Sequence, residues 1–444
     1  MAAPPAKPGR PLMRLLLYGL NFWPELTGAG KYTGEMAQWL AARGHAVQVV
    51  TAPPYYPQWQ VPPDYSASRY QQQSWGQGTA AVAITRCPLW VPRRATSLRR
   101  LLHLASFALA SLPPLWRALR TQPDVLVVVV PTLFVAPAAL LMARWHGVPT
   151  WLHVQDFEID AMFDLGMGVG SGMGGGPLRR LALAAESALL RRFGRASSIT
   201  PRMVDRLVAK GVAPARCVLF PNWVDLAAVF PLAGPNAFRR ELGLADGDVM
   251  VLYAGNMGEK QGMEIVIDAA RVLATQPAAA SPRVHFVLAG SGAARQRLEI
   301  AAAGLPNVTW LALQPPARLN EMLNAADIHV LPQRADAADL VMPSKLTGML
   351  ASGRATVGTA AASTQLGQVL DEAGHRVDAG DLPALVAAIQ ALALDAPQRA
   401  DLGRRGRAYA EQHLALDALM GRFQRQLQAL VDEQPVTAPS RSLP

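Results

Sequence analysis

The run VLVVVV at 125–130 constrains the fold more than any other stretch of the chain. Six consecutive apolar residues, mostly β-branched, offer no polar face to water. Such a strand has to be covered on both sides, as in the middle of a parallel sheet flanked by helices. Shorter apolar runs repeat the signal at 13–20, 46–52, 81–87, 150–155, 197–200 and 217–222. Segments with helical periodicity separate them at 31–42, 97–120, 134–145, 178–192 and 201–210. The pattern restarts at VMVLYAG (249–255), with strands at 284–290, 307–313, 327–333 and 354–360. Helices are expected between them at 263–276, 293–303 and 344–352, then at 382–395 and 397–431. Strands alternating with helices indicate α/β architecture, and a chain of 444 residues has room for two such domains. The expected division is a disordered tail at 1–12, a first doubly wound domain at 13–223 and a second at 224–415. A closing helix at 416–431 and a loose tail at 432–444 complete it. Ligands of such sheets bind beyond the carboxyl ends of the strands, so a cleft between the two domains is the expected site.

The uncharged stretch from Val125 to Ala143 is long enough for a membrane span. Pro131 and Thr132 interrupt it, and it reads as strand, turn and helix instead. Residues 1–12 lack the apolar core of a secretory signal. The two cysteines, Cys87 and Cys217, make neither a disulfide framework nor a zinc site, which fits a reducing cytosol. Lys and Arg outnumber Asp and Glu by 42 to 32, so anionic partners are favoured. No basic block interleaved with aromatics occurs, so nucleic acid is not an expected partner. The segment 97–120 mixes Arg99, Arg100, Arg117 and Arg120 with Leu, Phe and Trp, and Arg93 and Arg94 precede it. It suits either an anionic membrane surface or a helix packed on the sheet.

Four turns between strand and helix have the composition that cradles phosphate. The first is Gly28-Ala29-Gly30-Lys31. The second runs from Gly255 through Asn256, Gly258 and Lys260 to Gly262, and it is the strongest local signal. Glycines there admit a ligand to the backbone, and Lys260 brings a mobile cation. The third is Gly290-Ser291-Gly292, and the fourth is Pro343-Ser344-Lys345, where Ser344 is a candidate helix N-cap. Asp246-Gly247-Asp248 has a metal-binding form but reads as a turn. The eight histidines show no ligand spacing, and no metal is expected. The glycine-rich segment 165–177 is expected to be a mobile loop or linker. An oxidoreductase reading falls behind, because no G-x-G-x-x-G follows the first strand.

These turns, with NFWPELTGAGKYTGEMAQW, PTLFVAP, HVQDFEIDAM, FPNW and LVMPSKLTGMLASGR, resemble family 4 of the GT-B glycosyltransferases over residues 15–423. The resemblance implies a retaining transfer without bound metal or cofactor. It matches Asn256 and Lys260 to positions that hold the donor diphosphate, and Gly28 and Gly30 to the loop that approaches it from the first domain. His153 matches a histidine near donor sugar and acceptor, and Asp156 follows it. Family members carry two glutamates separated by seven residues. Here Gly348 stands at the second, and Leu340, with Asp339 beside it, at the first. The contact to the nucleotide ribose must therefore come from elsewhere, and Asp339 is a candidate for the donor sugar. Similarity to a branch that makes colanic-acid-like exopolysaccharide implies GDP-L-fucose as donor and an undecaprenyl-diphosphate-linked saccharide as acceptor. It places the protein in the cytoplasm, peripheral to the inner face of the plasma membrane. A non-catalytic sugar-nucleotide-binding subunit, or a transferase using another donor such as a UDP-sugar, is the alternative.

Overall fold

The computed structural model describes residues 13–26, 28–93, 96–130, 133–157, 177–234, 236–258, 261–275, 282–334 and 342–433. The chain divides into two compact units, one of residues 1–221 with 420–444 and one of residues 222–419. The second division falls inside the last helix, Leu416–Asp432.

In the first unit the strands are β1 (Arg14–Gly19), β2 (Ala46–Thr51), β3 (Gln71–Trp75), β4 (Val82–Arg86), β5 (Val125–Val130), β6 (Thr150–Val154), β7 (Arg195–Ser198) and β8 (Cys217–Leu219). They form one sheet in the order β3-β4-β2-β1-β5-β6-β7-β8. All pairings are parallel except β3 with β4, which is antiparallel. The valine run is β5, buried at every residue, beside β1. The chain order reverses between β1 and β5, which is the switch point where such sheets open a crevice.

Three sequence expectations are corrected here. The parallel-sheet reading misses β3, an edge strand of sequence QQQSW whose residues alternate between half-buried and exposed. The helix expected over 97–120, kinked or ended at Pro113-Pro114, is two helices, Ser97–Ala110 and Leu112–Arg120, parted slightly earlier at Ser111. Prolines at the start of the second helix explain the break, because they lack the N–H that continuation requires. The helix expected over 397–431 is likewise interrupted between Tyr409 and Leu416 by a short π-helical turn, Ala410–Leu414. After β5, the chain makes a tight turn at Leu133–Val135 and enters the helix Ala136–His146, which Gly147 caps at φ 67°. Among the described residues no helix is long and apolar enough to cross a membrane.

The second unit has β9 (Val249–Asn256), β10 (Val284–Ser291), β11 (Val308–Leu311), β12 (Ile328–Leu331), β13 (Ala355–Thr359) and β14 (His375–Val377). Their order is β11-β10-β9-β12-β13-β14, every pairing parallel. Counted from β9 this is 3-2-1-4-5-6, the doubly wound dinucleotide-fold order. Along β9 the residues alternate between two cores, Val249, Val251 and Tyr253 on one face and Met250 and Leu252 on the other. That is why the run is continuously apolar rather than alternating.

Candidate functional site

In the second unit the switch point lies between β9 and β12, so the turns after these strands flank one crevice. β9 ends at Gly255-Asn256, with Gly255 at φ 144°. Gly290 pairs with Gly255 in the neighbouring strand. A Cβ at 290 would stand 1.9 Å from Gly255 O, and one at 292 would stand 2.4 Å from Met257 O. Met257 N donates to Ser291 O at 2.8 Å, and Ala294 N donates to Met257 O at 2.9 Å. Gly290, Ser291 and Gly292 thus seat the turn after β9 through backbone contacts. At the next bend Gly258 admits Gln261, whose Oε1 would lie 2.8 Å from a Cβ at 258. Gly262, at φ 62°, lies against Arg334 from the turn after β12.

Lys345 comes from the other side of the crevice, at the start of the helix Lys345–Ala351. Its stem passes 3.2 Å from where a Cβ of residue 255 would be. The ammonium donates to Tyr253 Oη and lies 4.2 Å from that ring's centre. Tyr253 Oη in turn donates to Asn256 O. Burial pushes the Lys345 ammonium down to about 7. A lysine that titrates near neutrality therefore sits against Gly255, at the start of the turn after β9. Ser344 occupies the N-cap position in αR conformation and makes no side-chain capping bond to the helix. The backbone carbonyl of Pro343 accepts from Leu346 N at 3.0 Å. A side chain at Gly348 would start 3.3 Å from Leu323 Cδ1. Lys260 and Asp339 lie outside the described residues, as does the glycine-rich segment. Asp248 closes its own turn by accepting from Ala245 N at 2.9 Å and pairs with Arg283 at 3.2 Å.

In the first unit the helix expected from residue 31 begins at Gly28 and runs to Ala42. Gly28, at φ 61°, and Gly30 are therefore first-turn residues, whose unpaired amides carry the positive end of the helix dipole. Gly30 is fixed by sterics as well, since a Cβ there would meet Glu25 Oε2 at 2.5 Å. Glu25 is buried and accepts from Asn21 Nδ2 at 2.9 Å and from the backbone N–H groups of Tyr55 and Tyr56 at 3.1 Å. It ties the turn after β1 to the turn after β2, and burial holds its carboxyl above the usual range. Arg86 reinforces the same junction by donating to Ala52 O at 2.9 Å, Trp23 O at 2.6 Å and Gln73 Oε1 at 2.7 Å. Sequence reasoning missed Glu25, Arg86 and Tyr253, since single polar residues in irregular turns or apolar strands leave no periodic signal. Lys31 lies 3.7 Å from Glu35 one turn on.

His153 is fully buried on β6, packed 5.1 Å from the ring of Phe220. Gln155 Nε2 lies 3.0 Å from its Nε2. An amide N–H only donates, so Nε2 accepts, and Nδ1 carries the hydrogen directed to Ser197 Oγ at 2.9 Å. Trp151 Nε1 donates to the same hydroxyl at 2.8 Å. Asp156 follows, partly buried, at the carboxyl end of β6. Burial pushes both His153 and His329 down to about 3, so both are neutral in the fold. Their unfolded forms bind a proton near pH ~6.5. The stability they contribute is therefore complete above that pH and falls as pH drops toward 3. The slope approaches about 1.4 kcal/mol per pH unit for each group. Urea unfolding at pH 7.5 and 5.0 should show the loss, and His329→Asn should reduce it. A pH dependence unchanged in that variant contradicts the assignment.

Comparison with known proteins agrees with this architecture. Residues 27–223 match the family model described as a glycosyl transferase 4-like domain, and residues 248–395 match glycosyl transferases group 1. The chain is 43% identical over 419 residues to the putative colanic acid biosynthesis glycosyl transferase WcaI of Escherichia coli K12, covering 93% of this chain and 98% of that one. Sucrose-phosphate synthase from Thermosynechococcus elongatus superposes with a TM-score of 0.70 at 19% identity, covering 94% of this chain and 99% of that one. Anabaena Alr3699/HepE, solved in complex with UDP and glucose, gives 0.65 at 15% identity, covering 94% and 100%. Two doubly wound units, two family models and identity along nearly the whole chain converge on one conclusion: the protein belongs to family 4 of the GT-B glycosyltransferases.

Proposed function

We propose that the chain transfers a sugar, with retention and without a metal, from a nucleoside diphosphate to a lipid-linked saccharide in exopolysaccharide biosynthesis. The observation that carries the donor side is Lys345, buried against the glycine turn at the switch point of the second unit. As the bond from the anomeric carbon to the diphosphate breaks, the electron pair goes to the leaving phosphate. The acceptor oxygen bonds the same face of that carbon, and its proton passes to the departing oxygen. Lys260 and Lys345 meet the growing charge, with Asn256, Gly258 and the Ser344 helix start beside them. The first unit offers its own anion-attracting helix start at Gly28–Gly30. On the family resemblance it also brings Asp156 to the donor sugar and acceptor, whereas His153, expected beside it, is fully buried with both ring nitrogens bonded to Ser197 and Gln155 and acts only through Gln155.

A buried Lys345 near 7 has a consequence for binding. A bound diphosphate favours its charged form, so donor affinity is expected to fall as pH rises above 7, by up to about tenfold per unit. The donor KM measured from pH 6 to 9 should rise accordingly. Lys345→Met should raise KM at pH 6.5 and flatten the profile. An unchanged profile in that variant removes Lys345 from the donor site.

The likeness to WcaI supports a place in colanic-acid-like exopolysaccharide biosynthesis, and on the family resemblance the donor is GDP-L-fucose and the acceptor an undecaprenyl-diphosphate-linked saccharide. HepE, solved with UDP and glucose, supports a UDP-sugar as the competing donor. Gly348, in place of a ribose-holding glutamate, is what favours a non-catalytic binding subunit as the second reading. A panel of nucleotide sugars screened for thermal stabilisation separates the donors, because a ligand of the native state raises its midpoint.

Peripheral attachment to the cytoplasmic membrane face belongs to the same proposal. Exposed Phe134, Leu141 and Trp145 align on the turn and helix after β5. The Trp116 ring lies tilted 6.3 Å from that of Trp145, and Arg117, Arg120 and Arg144 on the same helices are exposed. Apolar stripes flanked by arginine suit an anionic lipid surface.

A further inference from the structure

The first unit contains a pocket of about 840 Å³ that none of the groups discussed above uses. Its size falls within the roughly 300–1,000 Å³ of small-ligand sites. The turn after β2 supplies Trp59 and Val61, and the segment after β4 supplies Leu89, Trp90 and Arg93. The helix Ser97–Ala110 closes it with Ser106 and Ala110.

These walls are preformed. Trp90 N donates to Ser106 Oγ at 3.0 Å, and His103 Nδ1 donates to Trp90 O at 2.7 Å. Leu89 N donates to Ala67 O at 2.9 Å. Trp59 is held at φ 54°, a conformation bulky residues seldom adopt, between Tyr55 at 5.6 Å and His103 at 5.3 Å. Arg93 lines the cavity, and the Arg100 guanidinium adjoins it through Trp59, 5.6 Å from that ring.

The same helix turns a second face outward. Leu98, Leu102 and Leu109 recur at helical spacing and are 68%, 52% and 69% exposed. A cavity whose wall joins Trp59, Leu89 and Trp90 to Gln58, Gln60 and Arg93, with an exposed leucine stripe on the helix that closes it, matches an anionic amphiphile. Its hydrocarbon enters the cavity, its phosphates meet the arginines, and the remainder stays in the lipid surface. A free oligosaccharide has no use for the stripe.

We propose that this pocket takes the isoprene units next to the phosphates of a polyprenyl-linked acceptor, with Arg93 and Arg100 on those phosphates. The assignment rests on the lipid-linked acceptor reading above.

Farnesyl diphosphate is a soluble probe of this chemistry and can be titrated calorimetrically against the full chain, with inorganic pyrophosphate as the second arm. The expected result is a Kd for farnesyl diphosphate at least tenfold below that for pyrophosphate, unaltered by saturating GDP or UDP. Trp90→Asp and Arg93→Glu should each weaken it at least tenfold, with thermal midpoint and nucleotide-sugar affinity as in the wild type. Both side chains are exposed in part, so neither change should disturb folding. Equal affinity in wild type and both variants overturns the proposal. So does displacement by GDP or UDP, which would put the probe in the donor site, or pyrophosphate binding as tightly as farnesyl diphosphate. The transfer reading fails by a different result, namely that no nucleotide sugar stabilises the chain or is consumed by it.

Discussion

Gly290→Ala is expected to lower the thermal midpoint by roughly 10 °C and to abolish measurable donor binding. The Cβ would stand 1.9 Å from Gly255 O, and backbone φ at 290 is 146°, where only glycine is comfortable. Overpacking costs about 1–3 kcal/mol and strained backbone about as much again. The obstacle is a backbone carbonyl, so relief requires the β9 and β10 edges to separate. That separation would undo the Met257–Ser291 and Ala294–Met257 bonds that seat the turn after β9. Gly304→Ala is the control. Its φ is 81°, but nothing lies within 4 Å of the added carbon, so strain alone should cost about 1 kcal/mol. Differential scanning calorimetry of both variants, with a donor titration, reads the difference. Equal midpoints would show that close approach at 290 is not what holds this edge.

Lys260→Ala is expected to reduce turnover at least ~100-fold, the scale on which removal of one preorganised charge-stabilising donor acts. The loss should fall on kcat as well as on kcat/KM, because the leaving diphosphate is more charged in the transition state than in the bound donor. Lys345 is the reason the loss should stop short of complete inactivity, since a second lysine remains against the turn. The double variant with Lys345→Met should then cost more than either alone. Steady-state rates of nucleoside diphosphate release measure all three, and near-wild-type turnover in Lys260→Ala would remove it from the chemistry.

The central strands were legible because burial on both faces writes itself into composition. The valines of β5 and the alternating two-core residues of β9 leave no other reading. β3 was not legible, because an edge strand with one solvated face carries glutamines and takes its register from the partner strand. The helices Pro316–Ala325 and Gln365–Ala373 were missed although each has a start signal. Pro316 opens the first, and Thr364 caps the second by accepting from Gly367 N.

At the candidate site, residue types were legible but their division of labour was not. Sequence spacing put Gly28, Gly30, Gly290 and Gly292 in phosphate-type turns. Only the folded structure shows that Gly30 accommodates the buried Glu25, and that Gly290 and Gly292 admit the neighbouring backbone. The Lys345–Tyr253 contact joins residues 92 apart, through a crossover that brings β12 beside β9. Local pattern contains nothing about such a pairing, which is set by the topology of the sheet.

The most direct measurement is nucleoside diphosphate release by the full chain, in excess EDTA, across a panel that includes GDP-L-fucose and UDP-sugars. Release from one nucleotide sugar, at a rate EDTA leaves unchanged, is the expected result. No release from any donor, or release abolished by EDTA and restored by added divalent metal, would contradict the account.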